Sequence, residues 1–301
     1  MSKFAEVANG FAFTEGPCVD RRGRLHVVEL ANRCVSRIEN GKRVEFVQLG
    51  GSPNGAAFGP DGDLYVANGG GNWGPNASTG GRAGWGGAGS YIQRVRADGW
   101  SRVVLAAIDG QPLHSPNDLC FDAEGGLYFT DPVWPPRKPD GLADASRVSA
   151  GDICFLGADG SARRCHTGLL FPNGIAVSPQ GDAVLVDETG TGIVHRFPIL
   201  SPGVLGKPEV YVELGPASGP DGMCFDSTGR LLVAGHGSHQ VFVVAPGGGK
   251  VEGSLRFDDA EVTNVCFGGD DLKTLFVTLA ATGRVVSVDW DVPGLAPHAG
   301  F

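Results

Sequence analysis

The sequence predicts an all-β fold, a six-bladed β-propeller with four-stranded blades around a central channel. Three observations carry the prediction. A short phrase recurs six times: Thr14-Glu15-Gly16-Pro17-Cys18-Val19, Pro53-Asn54-Gly55-Ala56-Ala57-Phe58, Pro116-Asn117-Asp118-Leu119-Cys120-Phe121, Pro172-Asn173-Gly174-Ile175-Ala176-Val177, Pro220-Asp221-Gly222-Met223-Cys224-Phe225 and, more loosely, Val262-Thr263-Asn264-Val265-Cys266-Phe267. Each copy continues into two β-rich runs joined by an Asp/Gly turn, the pattern of a hairpin. Glycine is abundant, 49 of 301 residues, against a usual share of about 7%. Many of these glycines fall between short apolar runs, as turns do.

Each unit is completed by two further strands. The third strands include Ser90–Val95, Gly151–Leu156, Ile193–Phe197 and Gln240–Val244. A unit of this size cannot bury its apolar face alone and must stack on its neighbours, so the copies are read as blades of one domain spanning 1–301. No amphipathic pattern is long enough to predict a substantial helix.

Within the phrase, one polar residue keeps the same place: Glu15, Asn54, Asn117, Asn173, Asp221 and Thr263. Cyclic repetition would bring them together on one axis. If these residues open the first strand at one face, the second strand returns to that face. Counting fourteen residues on gives Glu29, Asn68, Asp131, Asp187 and Gly235, predicted as an outer ring about the channel mouth. Two long segments leave the same face, 69–89 with Trp73 and Trp85, and 132–150 with Trp134. Their tryptophans favour lids over the channel mouth rather than disordered insertions. His114, and His236 and His239 after the fifth hairpin, are placed on that face too.

Asn-Gly and Asp-Gly pairs are common turn chemistry, and three asparagines alone would mean no more than that. Glu15 does not fit that reading. Two carboxylates converging in a channel need a compensating charge, and no Lys or Arg occupies any ring position. A divalent cation is the simplest partner. An all-oxygen donor set favours Ca²⁺, with Mg²⁺ or Mn²⁺ behind it. Such an ion could polarise a carbonyl or phosphoryl oxygen while a carboxylate serves as general base, which points to hydrolysis of an activated ester.

The phrases Thr14-Glu15-Gly16-Pro17, Ser115-Pro116-Asn117-Asp118, Phe171-Pro172-Asn173-Gly174 and Pro220-Asp221-Gly222-Met223 resemble the family of gluconolactonase, senescence marker protein (regucalcin) and luciferin-regenerating enzyme. The resemblance covers almost the whole chain. It implies a six-bladed propeller with one divalent metal, Ca²⁺ or Zn²⁺, in the channel. It also implies Glu15, Asn173 and Asp221 as ligands, Asn117 on metal or substrate, and Asp221 as general base. A lactone is the implied substrate; by their repeat position and the segments at the mouth, Asn54, His114, Asp131, Trp73, Trp85 and Trp134 are the residues expected to bind it. The long 69–89 segment departs from a simple sugar-lactone pocket. A phosphotriesterase at the same site, or a non-catalytic propeller scaffold, are the alternatives.

The net charge of −9 offers no footprint for nucleic acid or anionic membrane. Oligomeric state is not legible in the sequence. Seven cysteines form no Cys-x-x-Cys pair, and Cys18, Cys120, Cys224 and Cys266 share one repeat position. They are read as buried small hydrophobes in a reducing, cytoplasmic setting. The N-terminus shows no apolar signal segment.

Overall fold

The computed structural model describes residues 3–71, 89–134 and 150–296. Six antiparallel sheets are arranged as the blades of a β-propeller. Their inner strands are Thr14–Val19, Pro53–Phe58, Leu119–Phe121, Pro172–Val177, Pro220–Phe225 and Val262–Gly268. Each pairs with a second strand: Leu25–Glu29, Leu64–Asn68, Leu127–Asp131, Ala183–Glu188, Leu231–Gly235 and Thr274–Leu279. No helix among the described residues is long and apolar enough to cross a membrane.

The hairpin turns form for a local reason. The Asp20 carboxylate accepts the amides of Arg22 and Arg24 at 2.9 Å each. Asp122 does the same with Glu124 and Gly126, and Asp226 with Thr228 and Arg230. An aspartate that mimics a backbone turn in this way fixes the hairpin length and hence the strand register.

The blades pack through alternating apolar side chains. Val28, Val66, Phe129, Val186, Val233 and Val277 on the second strands are all fully buried. Clusters of such residues span neighbouring blades, as where Phe225 and Val233 of blade 5 meet Ala176 and Leu185 of blade 4.

Blade 6 departs from the expected chain order. Its inner three strands come from the C-terminal part, but its outer strand is Ala5–Asn9, paired with Arg284–Asp289. The N-terminal segment thus closes the circle, a feature hidden because it precedes the first phrase. Blade 4 carries an extra short strand, Val204–Leu205, beside Ile193–Ser201.

Register shifts interrupt the pairing near the ring positions. They lie between Glu15 and Cys18, Pro53 and Ala56, Pro172 and Ile175, Pro220 and Met223, and Val262 and Asn264. A bulge re-aims side chains that a regular ladder would point into the seam between blades. In blade 3, Asn117 lies just before the strand, held by its amide to the Thr130 carbonyl at 2.9 Å.

Candidate functional site

The side chains of Glu15, Asn54, Asn117, Asn173 and Asp221 are buried at 3, 8, 4, 6 and 5% exposure. Burial and the facing acids push the Glu15 carboxyl well above its ordinary range, first by desolvation and then by Asp221 and Asp118. Asp221 is raised likewise, by desolvation, then Asp187 and Asp118, with partial relief from the Gly222 amide and the Asn173 side chain. The groups that shift these two carboxyls most include no cation.

The sixth ring position differs from expectation. Thr263 is fully buried, and its hydroxyl donates to the Thr14 carbonyl at 2.7 Å. It locks the seam between blades 6 and 1. The polar group offered to the channel by blade 6 is instead Asn264, whose side chain helps hold the Glu15 carboxyl down.

One residue beyond the ring lies a second layer that the sequence reading missed. There the inner strands carry Gly16, Gly55, Asp118, Gly174, Gly222 and Asn264. The two side chains fill space left by glycines of the preceding blades. A Cβ on Gly55 would lie 2.3 Å from Asp118 Oδ1, and one on Gly222 only 1.9 Å from Asn264 Cγ. The Asn264 amide points at Asp118 Oδ2 from 3.5 Å, while the Leu119 amide donates to Oδ1 at 2.9 Å. Desolvation raises Asp118 to about 6. The repeat did contain the signal: four glycines and two polar residues at one register position.

The supposed outer ring is not at the mouth but inside the walls. Glu29, Asn68, Asp131 and Asp187 have no exposed surface. Three of the four brace the segment leading into their own inner strand. Glu29 accepts the Ala12 amide and pairs with Arg43. Asn68 accepts the Ser52 amide at 2.8 Å. Asp131 accepts the amides of His114 and Ser115 at 2.9 and 2.7 Å. In blade 4 this role falls to Glu188, which accepts the Leu170 amide. Pairing of Ile175 with Val186 there, against Leu119 with Phe129 in blade 3, makes Glu188 the counterpart of Asp131 and Asp187 that of Thr130. The fourteen-residue count therefore runs one residue short in that blade.

Asp187 stands apart. Among the described residues, the buried side-chain atoms without a hydrogen-bond partner are Thr14 Oγ1, Asn173 Oδ1 and both Asp187 oxygens. Its carboxyl is pushed well up by desolvation and by Asp118, and the nearby Gly174 amide offsets only part of this.

These observations test whether a divalent cation fits. An orphaned amide oxygen on Asn173 and two carboxyls without a balancing cation leave an oxygen donor set unfinished, and buried polar groups normally find partners. The set suits a hard divalent ion.

A second grouping, His114, Asp131 and Asp152, brings one ligand atom from each within 4.8 Å. Here a cation is already at hand. Arg164 donates to Asp152 Oδ2 at 2.9 Å, the same oxygen that lies 3.5 Å from His114 Nε2, and Asp131 is occupied by backbone amides. His114 itself is 42% exposed at its side chain.

Trp134 is half-buried and bridges two blades near the ring. Its indole N–H donates to Ser115 Oγ at 2.9 Å, and its ring meets Phe171 edge-on at 4.9 Å. Ser115 and Phe171 lie two residues before Asn117 and Asn173. Phe171, at φ 59°, and Phe13, at φ 56° two residues before Glu15, hold left-handed backbone, a conformation costly for bulky side chains. His236 is exposed at the surface, though packing around its ring lowers its pKa by desolvation, and its amide donates to the Gly219 carbonyl at 2.8 Å. Trp73, Trp85 and most of the segments 69–89 and 132–150 lie outside the described residues.

Comparison with known proteins places this arrangement. The chain is 30% identical over 208 residues to diisopropyl-fluorophosphatase of Loligo vulgaris, covering 66% of this chain and 65% of that protein. It is 29% identical over 249 residues to a gluconolactonase of Zymomonas mobilis, covering 78% and 62%. In both cases it spans just under two thirds of the relative's length. A solved structure of luciferin-regenerating enzyme superposes with a TM-score of 0.78 at 18% identity, over 99% of this chain and 98% of that one, which shows the shared fold. The family model for the SMP-30/gluconolactonase/LRE-like region matches residues 13–281, and the chain belongs to that family.

Proposed function

We propose that the protein is a divalent-metal-dependent hydrolase of a lactone, with Glu15, Asn173 and Asp221 holding the ion and Asn117 beside them. The observation that carries the reading is the pair of buried carboxyls, Glu15 and Asp221, facing the unpartnered Asn173 Oδ1 without a balancing cation. Relatives named as lactonases support the reaction class. On donor chemistry Ca²⁺ is favoured, with Zn²⁺, Mg²⁺ or Mn²⁺ as the other candidates.

A bound ion would supply Lewis acidity for a carbonyl oxygen and for the acidity of water. The chain's own residues do the rest. Asp221 takes the proton from the attacking water. Asn117 and Asn54 orient the ring oxygens of the substrate through their amides. Asp118 and Asn264 close the channel beneath the site and exclude water from that side.

Residues 1–301 are proposed to form one domain. Trp134, His114 and Asp131 act as one wall: Asp131 fixes the backbone of His114 and Ser115, and Ser115 accepts from Trp134. The seven cysteines are unpaired, which supports a reducing, cytoplasmic setting.

The test is hydrolysis of a lactone panel by the full chain. Turnover abolished by EDTA and restored by Ca²⁺ or Zn²⁺ is expected, with Asp221→Ala inactive. Undiminished turnover in Asp221→Ala would remove its role as base. Similarity to diisopropyl-fluorophosphatase favours one second reading, phosphotriester hydrolysis at the same ring. It predicts turnover of a fluorophosphate and none of lactones.

A further inference from the structure

The channel has a second chamber, on the far side of the Asp118–Asn264 layer. Its walls at the next inward-facing position are Cys18, Ala57, Cys120, Ala176, Cys224 and Cys266, one from each blade. Phe58, Phe121, Phe225 and Phe267, nearer the hairpin turns, also line it. The cavity measures about 210 Å³. Asp118 and Asn264 form its floor and Arg21 its rim. On one side it is narrowed by Leu295 and Ala296, and this segment is tied down by Gly294 to the Leu272 carbonyl at 2.8 Å and Leu295 to the Phe225 carbonyl at 2.9 Å.

The chemistry of this chamber differs from that of the ring. Apolar walls with a few convergent polar groups at one end are the form of a small-molecule site. The floor presents the Asp118 carboxyl, buried at 7% exposure, with Asn264 at 6%. The Asn264 side-chain amide and the backbone amides of Leu119 and Ile175 bear on Asp118, and a carboxylate, with about four lone-pair sites, has acceptor capacity left. A molecule entering from the far face would therefore meet acceptors at the end of an apolar tube. An anion would find repulsion there, and a hydrocarbon would leave the floor's acceptors unmet.

We propose that the far chamber is a second ligand site, for a small amine with an apolar body, whose nitrogen donates to the Asp118–Asn264 floor and whose body packs on the cysteine and alanine ring. It is separate from the carboxylate ring and opens on the opposite face. The thiols give a direct reporter of occupancy. Cys120, Cys224 and Cys266 are half-buried and line the chamber, whereas Cys165 is half-buried and lies outside it.

The experiment uses the full chain loaded with its divalent ion and benzylamine as probe, with benzyl alcohol, toluene and benzoate as comparators. Alkylation by iodoacetamide is followed at each cysteine by mass spectrometry. Benzylamine is expected to slow labelling of Cys120, Cys224 and Cys266 by about tenfold at saturation and to leave Cys165 unchanged, a separation easily read as a free-energy difference. Benzoate is expected to give no protection. Ala176→Leu, which fills the wall, should abolish the protection, and Ala57→Leu serves if that variant does not fold. Asp118→Asn should bring benzylamine down to the level of toluene. Protection by benzoate or toluene equal to that by benzylamine would overturn the assignment of ligand class. Benzylamine that displaces the metal without shielding any cysteine would overturn the site itself.

Discussion

Replacing Asp118 by Asn should stabilise the metal-free protein at neutral pH. The carboxyl is buried beneath the ring, and desolvation lifts it from the ordinary 3.8 to about 6. The sign follows from linkage: the folded state holds the proton more tightly than the unfolded chain. Its contribution is fully present below the unfolded value near 3.8 and is lost as pH rises through about 6. At about 1.4 kcal/mol per unit, the loss amounts to roughly 3 kcal/mol between these limits. Asn keeps the shape and can still accept the Leu119 amide, so the variant avoids that loss. Relief of Glu15 and Asp221, both pushed up by Asp118, acts in the same direction. For a chain of this size, about 2–4 °C per kcal/mol gives a gain on the order of 6–12 °C in melting temperature. Melting curves in EDTA from pH 4 to pH 8 are the assay. The wild type should fall relative to Asp118→Asn across pH 4–7, and the two curves should converge at acid pH. A variant less stable than wild type at pH 7.5 in EDTA, or curves that stay parallel, would refute the reasoning.

Four further outcomes follow from the same geometry. A divalent ion at 100 times its dissociation constant should raise wild-type stability by about 2.7 kcal/mol; Asp221→Asn should lose most of that increment in thermal melts with and without metal. Gly174→Ala should destabilise by roughly 1–3 kcal/mol, because its Cβ would lie 2.2 Å from the Asp221 carbonyl oxygen and 2.6 Å from Asp187 Oδ2; denaturant melts measure this, and isothermal titration should show weaker metal binding. Thr130→Val should cost about 1 kcal/mol, since its hydroxyl donates to the Asn173 carbonyl at 2.6 Å and so fixes a ring residue from the neighbouring blade; metal affinity should fall with it. His26 is held neutral, its pKa lowered by desolvation to about 4, between the rings of Phe46 and Phe58; its contribution is present above pH 6.5 and lost as pH falls toward 4, so His26→Phe should show a shallower acid limb than wild type in denaturant melts.

The ring was legible because repetition makes register visible. Glu15, Asn54, Asn117, Asn173 and Asp221 occupy one position of a phrase, and a closed array of blades must bring that position to the axis. What repetition cannot show is where a side chain spends its hydrogen bonds. Thr263 occupies the ring position but gives its hydroxyl to the Thr14 carbonyl, while Asn264 turns inward. Residue counting failed where a turn changes length: blade 4 moves the bracing acid to Glu188 and leaves Asp187 buried without a donor. Exposure was misjudged for Glu29, Asn68 and Asp131, because a strand end at the channel face can point into the blade as readily as into the mouth. The outer strand of blade 6 could not be read, since Ala5–Asn9 has no repeat of its own and is defined by a partner at the other end of the chain.

The central claim is that one divalent cation sits among Glu15, Asn173 and Asp221. Anomalous diffraction from crystals of the full chain grown with Mn²⁺ or Zn²⁺ tests it most directly. The account predicts a single strong peak on the channel axis, within coordination distance of oxygens from those three residues, absent in Asp221→Asn. A peak at His114, Asp131 and Asp152 with none on the axis would contradict it.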